Sequence, residues 1–180
     1  MYEDVAKADR ILCELATLLR QALEAQEAGS HTLAQELALV EPYLSIMRTR
    51  FGEERLSIEV TATDEARACL LPALLLISPV ENAIKHDVAV STGAVRIGVT
   101  GHVGADGQLH LSVTNSRTPP GRTTRDGAVG LSNLRERLRV LYGNAASIEL
   151  RATPDGGGLL ALALALALAL PAESMAMAAR

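Results

Sequence analysis

Apolar positions recur with a helical period through the first part of the chain. Ile11, Leu12, Leu15, Leu18, Leu19, Ala22 and Leu23 form one stripe, and Arg10, Glu14, Arg20 and Glu24 fill much of the opposite face. Gly29-Ser30 interrupts this pattern, and Ser30 or Thr32 is placed to cap a second helix. That helix carries Leu33, Leu37, Val40, Leu44, Met47 and Phe51, spaced by alternating fours and threes. Such a heptad-like seam suits packing against another helix, although it is too short for a long coiled coil. Pro42 predicts a kink or a local restart, and Gly52 a stop. The two segments predict a helical hairpin, or a helix leading into the main domain.

The period then falls to two. Leu56–Val60 alternates as a half-buried strand does, and Asp64–Ala68 reads as a connector. Pro72 suits the first turn of a helix running through Leu74, Leu75, Val80, Ala83 and Ile84, bent at Pro79. Val95–Thr100 and Leu109–Thr114 predict a strand pair around the glycine-rich Gly101–Gly107. Asn115–Val129, with Pro119, Pro120, Gly121 and Gly127, predicts a long mobile loop. Leu131, Leu134, Leu138 and Leu141 mark a further amphipathic helix that ends at Gly143. Ser147–Arg151 reads as a strand and Pro154–Gly158 as a turn.

Leu159–Leu170 alternates Leu and Ala. Both residues favour helix, but the glycine turn before the run and Pro171 after it select a strand with leucines on one face. The order strand, helix, two strands, loop, helix, two strands predicts an α+β fold. One sheet covered by helices on one face, a two-layer α/β sandwich, is the simplest packing. Residues 1–53 are expected to form a helical segment, 54–171 the main domain, and 172–180 a disordered tail.

Composition narrows the chemistry. The chain has 180 residues and a hydrophobic share of 48%, enough for one domain with a proper core and a helical extension. Aromatic residues make up 2%, with no Trp and one Phe, so the core must be built from Leu, Ala, Val and Ile. The net charge is −4 and the basic residues are scattered. A nucleic-acid partner would call for a basic stripe or stacking aromatics, and neither is present. Cys13 and Cys69 sit in apolar helical contexts and are expected to be buried free thiols; no CxxC pair signals zinc or redox chemistry. The N-terminus is acidic, unlike a signal peptide. The run Leu159–Leu170 is shorter than the roughly 20 residues a membrane helix needs. A soluble, cytoplasmic chain is expected, reaching a membrane only through parts absent from it.

Two segments carry candidate chemistry. In Val80–His86, VENAIKH, Asn82 and His86 share a helix face, and Glu81 and Lys85 share the neighbouring one. Read alone, Glu81 and Lys85 are a surface ion pair worth a few tenths of a kcal/mol. Asn82 also offers an amide oxygen of the kind Mg²⁺ takes beside substrate phosphates. Lys85 would then neutralise phosphate charge, and Glu81 would orient or deprotonate an attacking group. In the second segment, Asp126–Leu131 precedes a helix expected to begin near Ser132. Small residues there let backbone N–H groups approach a polyphosphate, with Arg135 and Arg137 adding charge.

These segments, in this order, carry a resemblance. LLLISPVENAIKHD at Leu74–Asp87 resembles the N box of the GHKL ATPase and kinase superfamily. LRQAL at Leu19–Leu23, LAQELALVEPYLSIMRTRFGEERL at Leu33–Leu56 and VGLSNLRERLRVLYG at Val129–Gly143 are similar to the LytS-type sensor histidine kinases. The resemblance runs from about Ala8 to Pro171 and implies a Bergerat-type sandwich that binds ATP and Mg²⁺ between the N-box helix and a lid. It makes Asn82 the magnesium ligand and Glu81 the catalytic residue. It places Lys85, His86, Asn115, Gly127, Gly130, Leu131, Asn133 and Arg137 in the ATP site, and Gly156–Gly158 in the final glycine turn. It also implies a response regulator as partner and a homodimer in the full-length protein.

Three departures qualify these implications. Asn115-Ser116-Arg117 stands where the family has Asp-Asn-Gly, so an uncharged amide would accept from the adenine amino group. Asp126 and Ala128 replace glycines that are common in the lid. The family's acceptor sequence His-Phe-Leu-Phe-Asn is absent, and His31, His102 and His110 do not match it. The chain is therefore expected to bind ATP without phosphorylating itself. The same departures motivate an alternative, a degenerate GHKL fold acting as a non-catalytic interaction module. A serine kinase acting as an anti-sigma factor ranks last, because the helix Leu33–Phe51 and RFGEERL argue against it.

Overall fold

In the computed structural model, helix α1 (Tyr2–Ala28) and helix α2 (Leu33–Phe51) pack together as a hairpin joined through the three-residue strand β1 (Ser30–Thr32). The structure describes residues 2–88, 93–116, 128–153 and 157–165, with side chains from 5–85, 93–116, 131–153 and 157–165. Thr32 caps α2: its hydroxyl accepts from the Gln35 amide, and the Gln35 side chain accepts from the Thr32 amide. This reciprocal box satisfies two of the donors a helix start leaves open. Gly52, at φ 85°, ends the helix and donates its N–H to Arg48. Pro42 neither breaks nor restarts α2, which runs continuously from Leu33 to Phe51.

The face that α1 turns to α2 differs from the expected stripe. Ile11, Glu14, Leu18, Gln21 and Ala25 are turned inward, whereas Leu12, Leu15, Leu19 and Leu23 are exposed. Glu14 accepts from Ser45 of α2 at 2.6 Å. Cys13, expected to be buried, is exposed because it lies on the outward face; Cys69 is half-buried.

Beyond α2 come strand β2 (Leu56–Ala62), helix α3 (Asp64–Ala68), strand β3 (Leu70–Pro72) and helix α4 (Ile77–Val88). The connector expected at Asp64–Ala68 is thus a short helix, capped by the Thr63 hydroxyl. Pro72 does not open a helix. It closes β3, which pairs antiparallel with β1, and α4 starts only at Ile77. Pro79 consequently falls in the first turn, where its missing N–H costs no helical bond.

Strands β4 (Val95–Val103) and β5 (Gln108–Asn115) form the expected hairpin. Helix α5 (Ala128–Tyr142) starts four residues earlier than Ser132. A single 3-10 turn, Gly143–Ala145, leads into β6 (Ala146–Ala152) and β7 (Gly158–Ala165). The five-stranded sheet has the order β2-β4-β5-β7-β6, with β2 and β4 parallel and every other pair antiparallel.

The Leu–Ala alternation resolves as a strand over its described part. Leu160, Leu162 and Leu164 are buried, while Ala161, Ala163 and Ala165 lie on the other face. They join Val95, Ile97, Val99, Leu109, Leu111 and Val113 to make the inner face of the sheet. Leu33, Val40 and Leu44 of α2, Val80 and Ile84 of α4, and Leu134 and Leu138 of α5 close the same core. The result is the α+β two-layer sandwich expected from the pattern. Residues 166–170 and the tail 172–180 lie outside the described residues.

Candidate functional site around helix α4

Helix α4 packs on β4, β5 and α5. This places VENAIKH on a helix that lies beside β5 and against α5. Val80 and Ile84 anchor α4 in the core, so the residues between them are held at its margin. Glu81 and Lys85 form the i,i+4 ion pair that their spacing allows, with both side chains open to solvent. Such a pair is worth a few tenths of a kcal/mol. Asn82 is half-buried, and its Nδ2 is buried without a hydrogen-bond partner. An amide has two ends that interchange by rotation, so the same site can present an oxygen. An unsatisfied buried amide nitrogen costs free energy, and a ligand that lets the amide pair would offset that cost. His86 lies in α4, but its side chain is outside the described residues.

Asn115 ends β5, opposite Ile97 on one side and Gly158 on the other. Next to it, the Ser116 amide donates to Arg96 O and the Ser116 hydroxyl accepts from Arg96 N. Gly157 packs against it so closely that a Cβ would stand 2.1 Å from Asn115 O. Thr153 ties the turn, accepting from Gly157 N and donating its own N–H to Gly157 O. Gly156 lies outside the described residues.

Gly130 and Leu131 sit in the first turn of α5, whose N–H groups have no helical acceptor. Asn133 is exposed in the following turn. Arg135 is exposed as well. Arg137 is half-buried about 13 Å along the helix from its start, where its charge reaches Tyr142. Residues 117–127, Asp126 and Gly127 among them, lie outside the described residues.

Several residues at the site carried no assigned role in the sequence reading. Tyr43 of α2 lies close enough to Glu81 to feel its charge. Burial pushes its hydroxyl up to about 12, Glu81 adds to the rise, and Arg50 opposes it. Tyr43 and Arg50 stand seven residues apart in α2, so they share a face, beside the heptad seam of Leu44 and Phe51. Glu36 and His31 are buried, and Glu36 accepts from the backbone of the segment entering α4. The signal that could have found Glu36 is a charged residue among apolar seam positions.

Among the described residues no three His, Cys, Asp or Glu side chains converge as a metal set. A hard cation here would take the amide oxygen of Asn82 and the oxygens of a phosphate ligand, a donor set Mg²⁺ accepts.

The fold is that of histidine kinase catalytic domains. The catalytic domain of histidine kinase ThkA superposes with a TM-score of 0.56 at 17% identity, over 76% of this chain and 95% of that one. The Acinetobacter baumannii histidine kinase AdeS gives a TM-score of 0.56 at 15% identity, over 92% and 83%. A family model described as histidine kinase matches residues 1–56.

The relatives in sequence are more specific. The sensor histidine kinase/phosphatase LytS of Staphylococcus aureus is 31% identical over 83% of this chain and 28% of its own length. The Bacillus subtilis protein YwpD is 31% identical over 86% of this chain and 57% of its own length. The chain is a relative of the LytS-type sensor histidine kinases and carries their GHKL catalytic fold. It spans just over half the length of YwpD and about a quarter of LytS.

Proposed function

We propose that this chain is the ATP- and Mg²⁺-binding catalytic module of a two-component sensor histidine kinase. The observation that carries the reading is Asn82, a margin residue of α4 whose side-chain Nδ2 is buried and unpartnered, on a helix that packs against β5 and α5. Its oxygen would hold magnesium, which when bound draws charge from the phosphates. Lys85 would release Glu81 and turn to the phosphates, at a cost of a few tenths of a kcal/mol. The open N–H groups at the start of α5, including those of Gly130 and Leu131, would receive phosphate oxygens. Asn115 would accept from the adenine amino group. Glu81 would orient or deprotonate the accepting histidine, with His86, Gly127, Asn133 and Arg137 completing the site. The γ-phosphoryl group would pass to a histidine nitrogen upstream of this chain, leaving ADP.

The exposed apolar seam of α1 supports a homodimer in the full-length protein. Leu12, Leu15, Leu19 and Leu23 face away from α2, while the more polar Glu14 and Gln21 face toward it. A response regulator would receive the phosphoryl group. Among the described residues no helix is long and apolar enough to cross a membrane; the module is assigned to the cytoplasmic side of a sensor anchored by other segments.

Phosphotransfer to a supplied histidine-bearing helix tests the assignment. The chain should transfer slowly with ATP and Mg²⁺ and show no self-labelling. Asn82→Ala should lower transfer at least a hundredfold and abolish the magnesium dependence of ATP binding. An Asn82→Ala variant that binds ATP-Mg²⁺ as well as the parent would refute the role of Asn82.

A further inference from the structure

Glu36 is fully buried in α2, yet none of its bonds serves α2 itself. Its Oε1 accepts from Leu76 N at 2.7 Å and its Oε2 from Leu74 N at 2.9 Å. His31 Nε2 lies 2.5 Å from the same Oε2. A buried carboxylate is costly unless hydrogen bonds replace its water. Here the replacements are two amides of the turn that enters α4 and one imidazole of the hairpin connector.

The rest of that junction points the same way. Strand β1 pairs with β3, Leu33 N donates to Cys69 O, and Ala73 N donates to Gly29 O. Leu74 is the only non-glycine residue with positive φ among the described residues, at 62°. Its side chain packs against the buried cluster of Ala25 of α1, Leu39 of α2 and Ala73. The backbone conformation that aims the chain into α4 is one leucine rarely adopts, and the helical hairpin holds it from both the amide and the side chain.

We propose that Glu36 is a positioning residue for the α4 site, through which the α1–α2 hairpin sets where Asn82 stands. The carboxylate fixes Leu74 and Leu76, α4 begins at the next residue, and Asn82 lies in its second turn. A displacement of the hairpin is thereby passed to the metal-binding end of the site. The inference rests on the assignment of Asn82 to magnesium, and it adds a route by which the helical segment would control it.

Amide hydrogen exchange on the full chain tests the link, comparing Glu36→Gln with Val40→Ala, a buried apolar change in the same helix. In Glu36→Gln the amides of Leu76 and of Val80–Lys85 should exchange at least tenfold faster, while those of β4 and β5 keep the parent's protection. Val40→Ala should show no such concentration in α4. An unchanged α4, or a rise shared equally with β4 and β5, overturns the proposal. If Glu36→Gln does not fold, His31→Gln replaces it with a smaller rise expected in the same amides; no rise there overturns it too.

ATP titrations with and without Mg²⁺ complete the test. The magnesium dependence of affinity should fall at least fivefold in Glu36→Gln and persist in Val40→Ala. Faster exchange with the magnesium dependence intact would make Glu36 a structural support only and overturn the positioning role. A parent chain with no magnesium dependence would instead refute the functional assignment, leaving the exchange result to decide whether Glu36 holds α4.

Discussion

Tyr43 reports on the site from outside the motif that defines it. Its raised value, about 12, has burial as the main cause and Glu81 as the second. The folded state therefore favours the protonated phenol, whereas the unfolded chain ionises near 10. Between those values the unfolded state has already lost the proton that the folded state keeps, so stability falls as pH rises through that window. Ultraviolet titration should show a tyrosine that stays protonated past pH 11, and Glu81→Gln should lower its midpoint. An unmoved midpoint would place Glu81 away from Tyr43. Gly157 makes a second test at this scale. A Cβ there would meet Asn115 O at 2.1 Å, so Gly157→Ala should cost about 1–3 kcal/mol, read as a lowered Tm. Neither residue's role was legible in the sequence. A tyrosine beside a helical seam looks like core, and the approach of two backbones leaves no mark beyond a glycine in a turn.

Elements were legible where a period ran long enough. The Leu–Ala run had the composition of a helix and the period of a strand, and the period prevailed because Leu160, Leu162 and Leu164 all reach the core. Leu162→Ala should therefore cost about 2–5 kcal/mol, while Leu159→Ala on the other face should cost well under half as much. Equal losses in denaturant unfolding would contradict the register. The period misled at α1, where a stripe broader than one helix contact left Leu12 and Leu19 outside and brought Glu14 in. Short elements escaped altogether. β1 and β3 have three residues each, too few for any alternation, and they exist because two distant segments meet. Pro72 was misplaced for that reason: as a helix starter it fits local rules, but pairing with Ser30 holds it in a strand.

At the scale of the whole molecule, one core joins the helical segment to the sheet. Leu33, Val40 and Leu44 of α2 share it with α4, α5 and the inner face of the strands. The α+β sandwich was legible because each long element carried its own period and the order of elements leaves few ways to cover one sheet face. The convergence of α4 with β5 and α5 was implied by family resemblance, since no local pattern says which helix meets which strand end. The outer face of α1 exposes Leu12, Leu15, Leu19 and Leu23, and the connector after α1 is bonded to the entrance of α4.

Calorimetric titration of the intact chain with ATP, with and without Mg²⁺, decides whether α4 presents Asn82 to a magnesium-bearing nucleotide. Binding with Mg²⁺ should be at least tenfold tighter than without it. No heat and no thermal shift at millimolar ATP, with Mg²⁺ present, would contradict it.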